Sequence, residues 1–181
     1  FILHKPQLSE NIGLCARAMK NFGFKNLSVI EPKPIFPNDK IIATSVGAKD
    51  IIKKTKVYSN LEKSLTKTDI LIATSARFRN KNIKHISLND LKKINFTKRV
   101  SFLFGSEASG LTNDEISYAD YTLQIPSNIK FRSLNLSHSL VIVAQTVSYL
   151  ISIKKVDFQK SKKIQTASKK EISSMLNFCL S

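Results

Sequence analysis

Six short apolar runs, Phe1–Leu3, Leu27–Ile30, Lys56–Tyr58, Asp69–Ala73, Val100–Phe104 and Tyr121–Ile125, recur along the chain with helix-like stretches between them. Strands that alternate with helices assemble into a largely parallel sheet, so this pattern predicts an α/β domain. Asn11–Asn21 is amphipathic behind Ser9 or Glu10, Leu61–Leu65 follows a Ser59-Asn60 cap signal, and Leu88–Ile94 follows Ser87 with Asp90 three residues on. Each is read as a crossover helix. Thr112-Asn113-Asp114-Glu115 is a capping box opening a short helix. Leu134–Ile153 is the longest helical pattern, with Leu136, Leu140, Val143, Val147, Leu150 and Ile151 along one side, and it closes a domain of residues 1–153.

Composition shifts after that helix. Residues 154–170 carry seven Lys and one Asp with no Gly or Pro, which reads as a basic, solvated linker. Ser168-Lys169-Lys170-Glu171 is a second capping box, and Ile172, Met175, Leu176 and Phe178 form a small apolar stripe over 171–181. Two turns of amphipathic helix do not hold together alone in water, so this is read as the start of a truncated C-terminal element. At the other end the chain enters an apolar run at Phe1 without a Met, and the first strand is expected to be incomplete.

The most continuous apolar stretch, Leu140 to Ile153, is interrupted by Gln145, Thr146, Ser148 and Ser152, short of the roughly 20 residues a bilayer span requires. Cys15 and Cys179 have no metal-ligand spacing and form no disulfide framework, so a reducing cytoplasm and no metal are expected. Lys and Arg total 29 against 13 Asp and Glu, a net charge of +16. With 24 Lys, 21 Ile and 13 Asn among 181 residues, much of the Lys excess reads as coding bias. A field of that size attracts polyanions whatever its origin, and nucleic acid is the commonest. No basic amphipathic helix with an aromatic face favours a membrane surface instead. The glycine signatures of dinucleotide and phosphate-loop sites are absent, as is H-E-x-x-H.

Three polar, glycine-containing stretches carry the chemistry. The first runs from Asn11 through Gly13 and Arg17 to Gly23; Arg17 sits on the polar helix face beside Lys20 and Asn21. A capped surface helix and an Arg presented to a phosphate or hydroxyl are both open readings of it. The second, Phe102-Leu103-Phe104-Gly105-Ser106-Glu107-Ala108-Ser109-Gly110-Leu111, leads a buried strand into a loop with Glu107 between two glycines. Ligands bind α/β sheets at such loops, beyond the carboxyl ends of parallel strands. In the third, Ile125-Pro126 ends a strand and Arg132-Ser133-Leu134-Asn135 opens the final helix, where backbone N–H groups are free.

In this order the stretches N-x-G-x-x-x-R, F-G-S-E-x-x-G-L and I-P…S-L-N resemble the SpoU/TrmH branch of the SPOUT RNA methyltransferases, over about Leu3 to Ile153. Gly47-Ala48-Lys49-Asp50 and Thr74-Ser75-Ala76-Arg77 look most like its TrmJ-type tRNA 2′-O-methyltransferases. The resemblance implies a parallel-sheet α/β fold with a deep C-terminal trefoil knot, which a bottom-up prior would reject. It also implies S-adenosylmethionine bound by the knot loops, and a homodimer whose sites are completed across the interface. Carried over, the cofactor residues are Thr74, Ser75, Ala76, Gly105, Ile125, Arg132, Ser133 and Leu134; the catalytic set is Arg17, Asn11, Glu107, Ser133 and Asn135. The implied substrate is a ribose 2′-hydroxyl of tRNA at position 32 of the anticodon loop. A guanidinium stays protonated, so Arg17 is read as binding phosphate and stabilising a forming alkoxide, with a phosphate oxygen or Glu107 as proton acceptor. Arg132 stands where such proteins often carry a small residue. His138 is read as a packing residue rather than a base. Ribosomal RNA methylation by the same fold, and a basic RNA-binding module without catalysis, are the alternatives.

Overall fold

A computed structural model describes residues 1–76 and 83–155, without the side chains of 153–155. Arg77 and Arg79, and the expected linker and C-terminal element from residue 156 on, with Cys179, lie outside the described residues.

Seven strands, β1 (Ile2–His4), β2 (Ser28–Ile30), β3 (Lys56–Tyr58), β4 (Ile70–Thr74), β5 (Lys84–Ser87), β6 (Val100–Phe104) and β7 (Tyr121–Gln124), form one sheet in the order β3-β2-β1-β6-β4-β7-β5. Every pairing is parallel. The helices are α1 (Ser9–Asn21), α2 (Asp39–Thr44), α3 (Lys49–Lys54), α4 (Leu61–Leu65), α5 (Asn113–Ser117) and α6 (Leu136–Lys155), with a 3-10 helix at Leu88–Lys93. α2, α3 and β5 were not expected: the two helices are single six-residue pieces, and β5, Lys-His-Ile-Ser, is a polar edge strand with one buried residue. The Leu88 segment has the expected Ser87–Asp90 capping box but winds as a 3-10 helix.

Side chains alternate between two apolar layers, as a pleated strand requires. Leu3, Val29, Ile72, Phe102 and Phe104 face the layer filled by α1 and α6, while Ile2, Ile30, Leu71, Ala73 and Leu103 face that filled by Leu61, Leu111 and Ile116. The expected stripe of α6 is buried at Leu136, Leu140, Val143 and Val147. β7 sits between β4 and β5, which are consecutive in the chain.

α1 is held at both ends. Its N-terminal half crosses α2 so closely that a Cβ on Gly13 would lie 2.0 Å from Thr44 Oγ1 and 2.5 Å from the Ile41 carbonyl oxygen. At its C-terminus Gly23, at φ +79°, lets Gly23 N–H donate to Lys20 O (3.1 Å) and Phe24 N–H to Met19 O (2.9 Å), a Schellman stop. At the carboxyl end of β1, buried His4 places Nδ1 3.2 Å from Glu115 Oε1, with Lys5 3.9 Å from the same oxygen. Burial pushes the His4 pKa below its ordinary value, against the pull of Glu115 and Glu31 and with help from Lys5. Among the described residues no helix is long and apolar enough to cross a membrane.

Two outcomes follow for stability. Gly13→Ala should cost about 1–3 kcal/mol through overpacking at the α1–α2 crossing; an unchanged melting temperature would contradict that contact. Because folding depresses the His4 pKa, its contribution is complete above the unfolded value of about 6.5 and lost as pH falls through the folded value. Melting curves between about pH 7 and pH 5.5 should therefore fall more steeply for the wild type than for His4→Gln.

Candidate active site

Gly105, directly after β6, starts a loop that folds back on itself: a Cβ there would lie 2.3 Å from the Gly110 carbonyl carbon and 2.4 Å from Leu111 N. Only glycine fits. Gly110, at φ +68°, donates its N–H to Ser106 O (2.9 Å), and the Ser106 and Ser109 hydroxyls bond at 2.8 Å. The loop then enters α5 through the expected capping box, with Glu115 N–H on Thr112 Oγ1 (3.2 Å) and Thr112 N–H on Glu115 Oε2 (2.8 Å).

This loop presents Glu107 to the entrance of α1. Its carboxylate accepts Gln7 N–H at 2.8 Å, Leu8 N–H at 3.2 Å and Asn11 Nδ2 at 2.7 Å. Asn11 Oδ1 in turn accepts Asn135 Nδ2 at 3.0 Å, and Asn135 Oδ1 accepts Ser137 N–H (2.8 Å) and the Ser137 hydroxyl (2.7 Å). Asn135 thereby caps α6, which starts at Leu136 and not at Leu134. Every donor along the series points toward one carboxylate, so each bond polarises the next. The three motif stretches, the first of them 96 residues from Glu107 and 124 from Asn135, are one hydrogen-bonded unit.

Beside this unit a cavity of about 480 Å³ opens beyond the carboxyl ends of β4, β6 and β7. All eight expected cofactor residues, Thr74, Ser75, Ala76, Gly105, Ile125, Arg132, Ser133 and Leu134, line it, together with Glu107. Buried Phe104 and Leu123 form apolar wall. Thr74 donates its hydroxyl to Leu103 O (3.0 Å) and Ser75 N–H bonds Leu123 O (3.0 Å), so the strand ends are fixed before anything binds. The size falls within the roughly 300–1,000 Å³ of small-molecule and cofactor sites. Apolar wall, short hydroxyls and exposed loop backbone suit a nucleoside carrying a short polar chain.

Of the expected catalytic residues, Glu107 and Ser133 reach the cavity, while Asn11 and Asn135 stand behind it in the hydrogen-bonded series. Arg17 does not line it. It is exposed on α1 and makes no hydrogen bond or ion pair among the described residues, whereas Lys20, one turn on, pairs with Asp50 at 2.6 Å. His138 is exposed, against the packing role expected for it, because it faces away from the buried Leu136–Leu140 stripe. Cys15 is fully buried, and burial with the Glu107 charge nearby pushes its thiol far up, which makes it a core residue and not a nucleophile. Sequence reasoning missed Ile129, Lys130 and Phe131 as cavity wall; their alternation of apolar and basic residues was the available signal. Among the described residues no three His, Cys, Asp or Glu converge as a metal set.

Comparison with known proteins agrees with this geometry. The family profile of the SpoU rRNA Methylase family matches residues 1–145. The tRNA (cytidine-2′-O-)-methyltransferase TrmJ of Methanocaldococcus jannaschii is 33% identical over 160 residues, 86% of this chain and 67% of that protein. The tRNA (cytidine/uridine-2′-O-)-methyltransferase TrmJ of Sodalis glossinidius is 37% identical over 150 residues, 81% of this chain and 58% of that one. The chain thus spans between half and about two thirds of these relatives. The crystal structure of TrmJ from Z. mobilis ZM4 superposes with a TM-score of 0.79 at 27% identity, over 99% of this chain and 76% of that one. Two more distant structures share the fold: a protein solved for the 2-OH methylation of C/U34 on tRNA (TM-score 0.69, 22% identity, 83% of this chain and 94% of that one), and the SpoU methyltransferase AviRb of Streptomyces viridochromogenes with AdoMet (0.66, 18%, 84% and 60%). The sheet, the loop cavity and the match over most of its length show that the chain belongs to the SpoU methylase family.

Proposed function

We propose that this chain is an S-adenosylmethionine-dependent 2′-O-methyltransferase acting on tRNA in the cytoplasm as a homodimer, at position 32 of the anticodon loop. The observation that carries the reading is the cavity itself, whose wall contains all eight residues expected to hold the cofactor. S-adenosylmethionine supplies a methyl group already activated on a sulfonium. The protein's task is to align a ribose hydroxyl in line with that methyl and to lower the cost of its negative charge.

Glu107 is read here as an anchor rather than as a simple base, and its hydrogen bonds support that reading. Three donors occupy its carboxylate, so its role is to fix the β1–α1 entrance and, through Asn11 and Asn135, the start of α6. A phosphate oxygen of the substrate then remains as the acceptor for the hydroxyl proton. Arg17, exposed and without an ion pair among the described residues, is placed to bind that phosphate and stabilise the forming alkoxide. Its position outside the cavity of its own subunit supports a site shared between two copies. Exposed Leu8 and Leu14 near α1, and Val141 and Tyr149 on α6, supply apolar surface for that contact.

Arg17→Ala should lower turnover by roughly 10²–10³-fold while leaving S-adenosylmethionine affinity unchanged; surviving activity would make Arg17 a helix-face residue only. Glu107→Gln puts an amide donor against three existing donors, so melting temperature and cofactor affinity should drop together, by about 2 kcal/mol in stability. Lost turnover with both intact would return Glu107 to the role of base. Mapping of 2′-O-methyl groups on total tRNA and ribosomal RNA should find product in tRNA at position 32. A methyl at position 34 would move the target, and an exclusively ribosomal product would refute the tRNA reading.

A further inference from the structure

The segment between β7 and α6 folds into a tight turn that points two apolar side chains outward. Asn128 organises it: its Oδ1 accepts Lys130 N–H at 2.9 Å and its carbonyl accepts Phe131 N–H at 2.9 Å, while the Ser127 hydroxyl donates to Arg132 O at 3.2 Å. Ile129 and Phe131 are left 79% and 76% exposed, alternating with the cations Lys130 and Arg132, neither of which forms an ion pair among the described residues. The turn also divides two cavities. Ile129 and Arg132 line both the 480 Å³ cavity and a second of about 360 Å³ bounded by Ser87 and Gln124.

An exposed aromatic ring between two free cations beside a reaction cavity suits single-stranded nucleic acid, whose bases stack on the ring while phosphates meet the cations. A protein partner would gain the apolar area but would have to cover or neutralise both charges. We infer that the Asn128–Arg132 turn is an RNA-stacking platform, on which Phe131 stacks an unpaired base next to the nucleotide being methylated and Lys130 and Arg132 hold its flanking phosphates. This rests on the RNA methyltransferase reading above, and it adds a residue that positions the substrate to those expected from the motifs.

These 181 residues contain no Trp, so Phe131→Trp introduces a lone indole at the platform, whose red-edge excitation separates it from the four Tyr. Titrating that full-length variant with an anticodon stem-loop oligoribonucleotide, with S-adenosylhomocysteine saturating, should quench its emission, at an RNA affinity confirmed by filter binding. Phe131→Ala should weaken RNA binding about tenfold, and Phe131→Tyr should retain it. RNA bound by filter assay without quenching would overturn the platform while leaving the RNA reading intact. Quenching by S-adenosylhomocysteine alone would assign the ring to the cofactor, and emission already shielded in the free dimer would assign it to the subunit contact; either result overturns the inference. No RNA binding by the wild type would remove both readings.

Discussion

The Glu107 carboxylate is the constraint on which the site depends. Two backbone N–H groups at the entrance to α1 and the Asn11 amide converge on it, and Asn11 passes the connection to Asn135 at the start of α6. Leaving the buried Asn11 amide or the part-buried Gln7 N–H unpaired would be costly, so the segments keep their relative positions together. The cavity lies between the loop that carries Glu107 and the segment that leads to Asn135. Its shape is therefore inherited from a polar series, with the hydrophobic layers beneath supplying the bulk of the stability.

Glycine has a specific part in this arrangement at two positions. Gly13 brings α1 against α2, and Gly105 allows the loop after β6 to close on Gly110 and Leu111. Both stand in motifs with chemical residues, yet both act by admitting backbone where a side chain would collide. The motifs are therefore mixtures of residues that face ligand and residues that let the backbone approach. Reading them only as catalytic lists would misplace half their content.

Much of the fold was legible because short apolar runs mark parallel strands: the six expected runs all became strands, the exposed edge strand β3 included, with ends within a residue or so of the expectation. β5 escaped because Lys-His-Ile-Ser carries a single apolar residue, and α2 and α3 escaped because six residues display no helical period, whereas the even shorter α4 and α5 were read from their cap signals. The cofactor wall was legible only through resemblance, since Thr74, Gly105 and Ser133 meet in space from distant parts of the chain. The same distance hid the bond between Asn11 and Glu107, 96 residues apart. Nothing in the local pattern around Glu107 announces the three donors that its carboxylate accepts. The net charge of +16 pointed toward nucleic acid but named no contact. Arg17, Lys130 and Arg132, which form no ion pair among the described residues, are the cations through which the proposed reading narrows that general attraction.

The most direct test of this account is a double-mutant cycle between Glu107→Ala and Asn135→Ala, read as S-adenosylmethionine affinity by calorimetry. Among the described residues the two side chains share no hydrogen bond and are linked through Asn11. If the polar series shapes the cavity, the effects of the two changes should be strongly non-additive, with a coupling of roughly 0.5–3 kcal/mol. Strict additivity would show that the cavity is held by its hydrophobic layers alone and would contradict the central role given to Glu107.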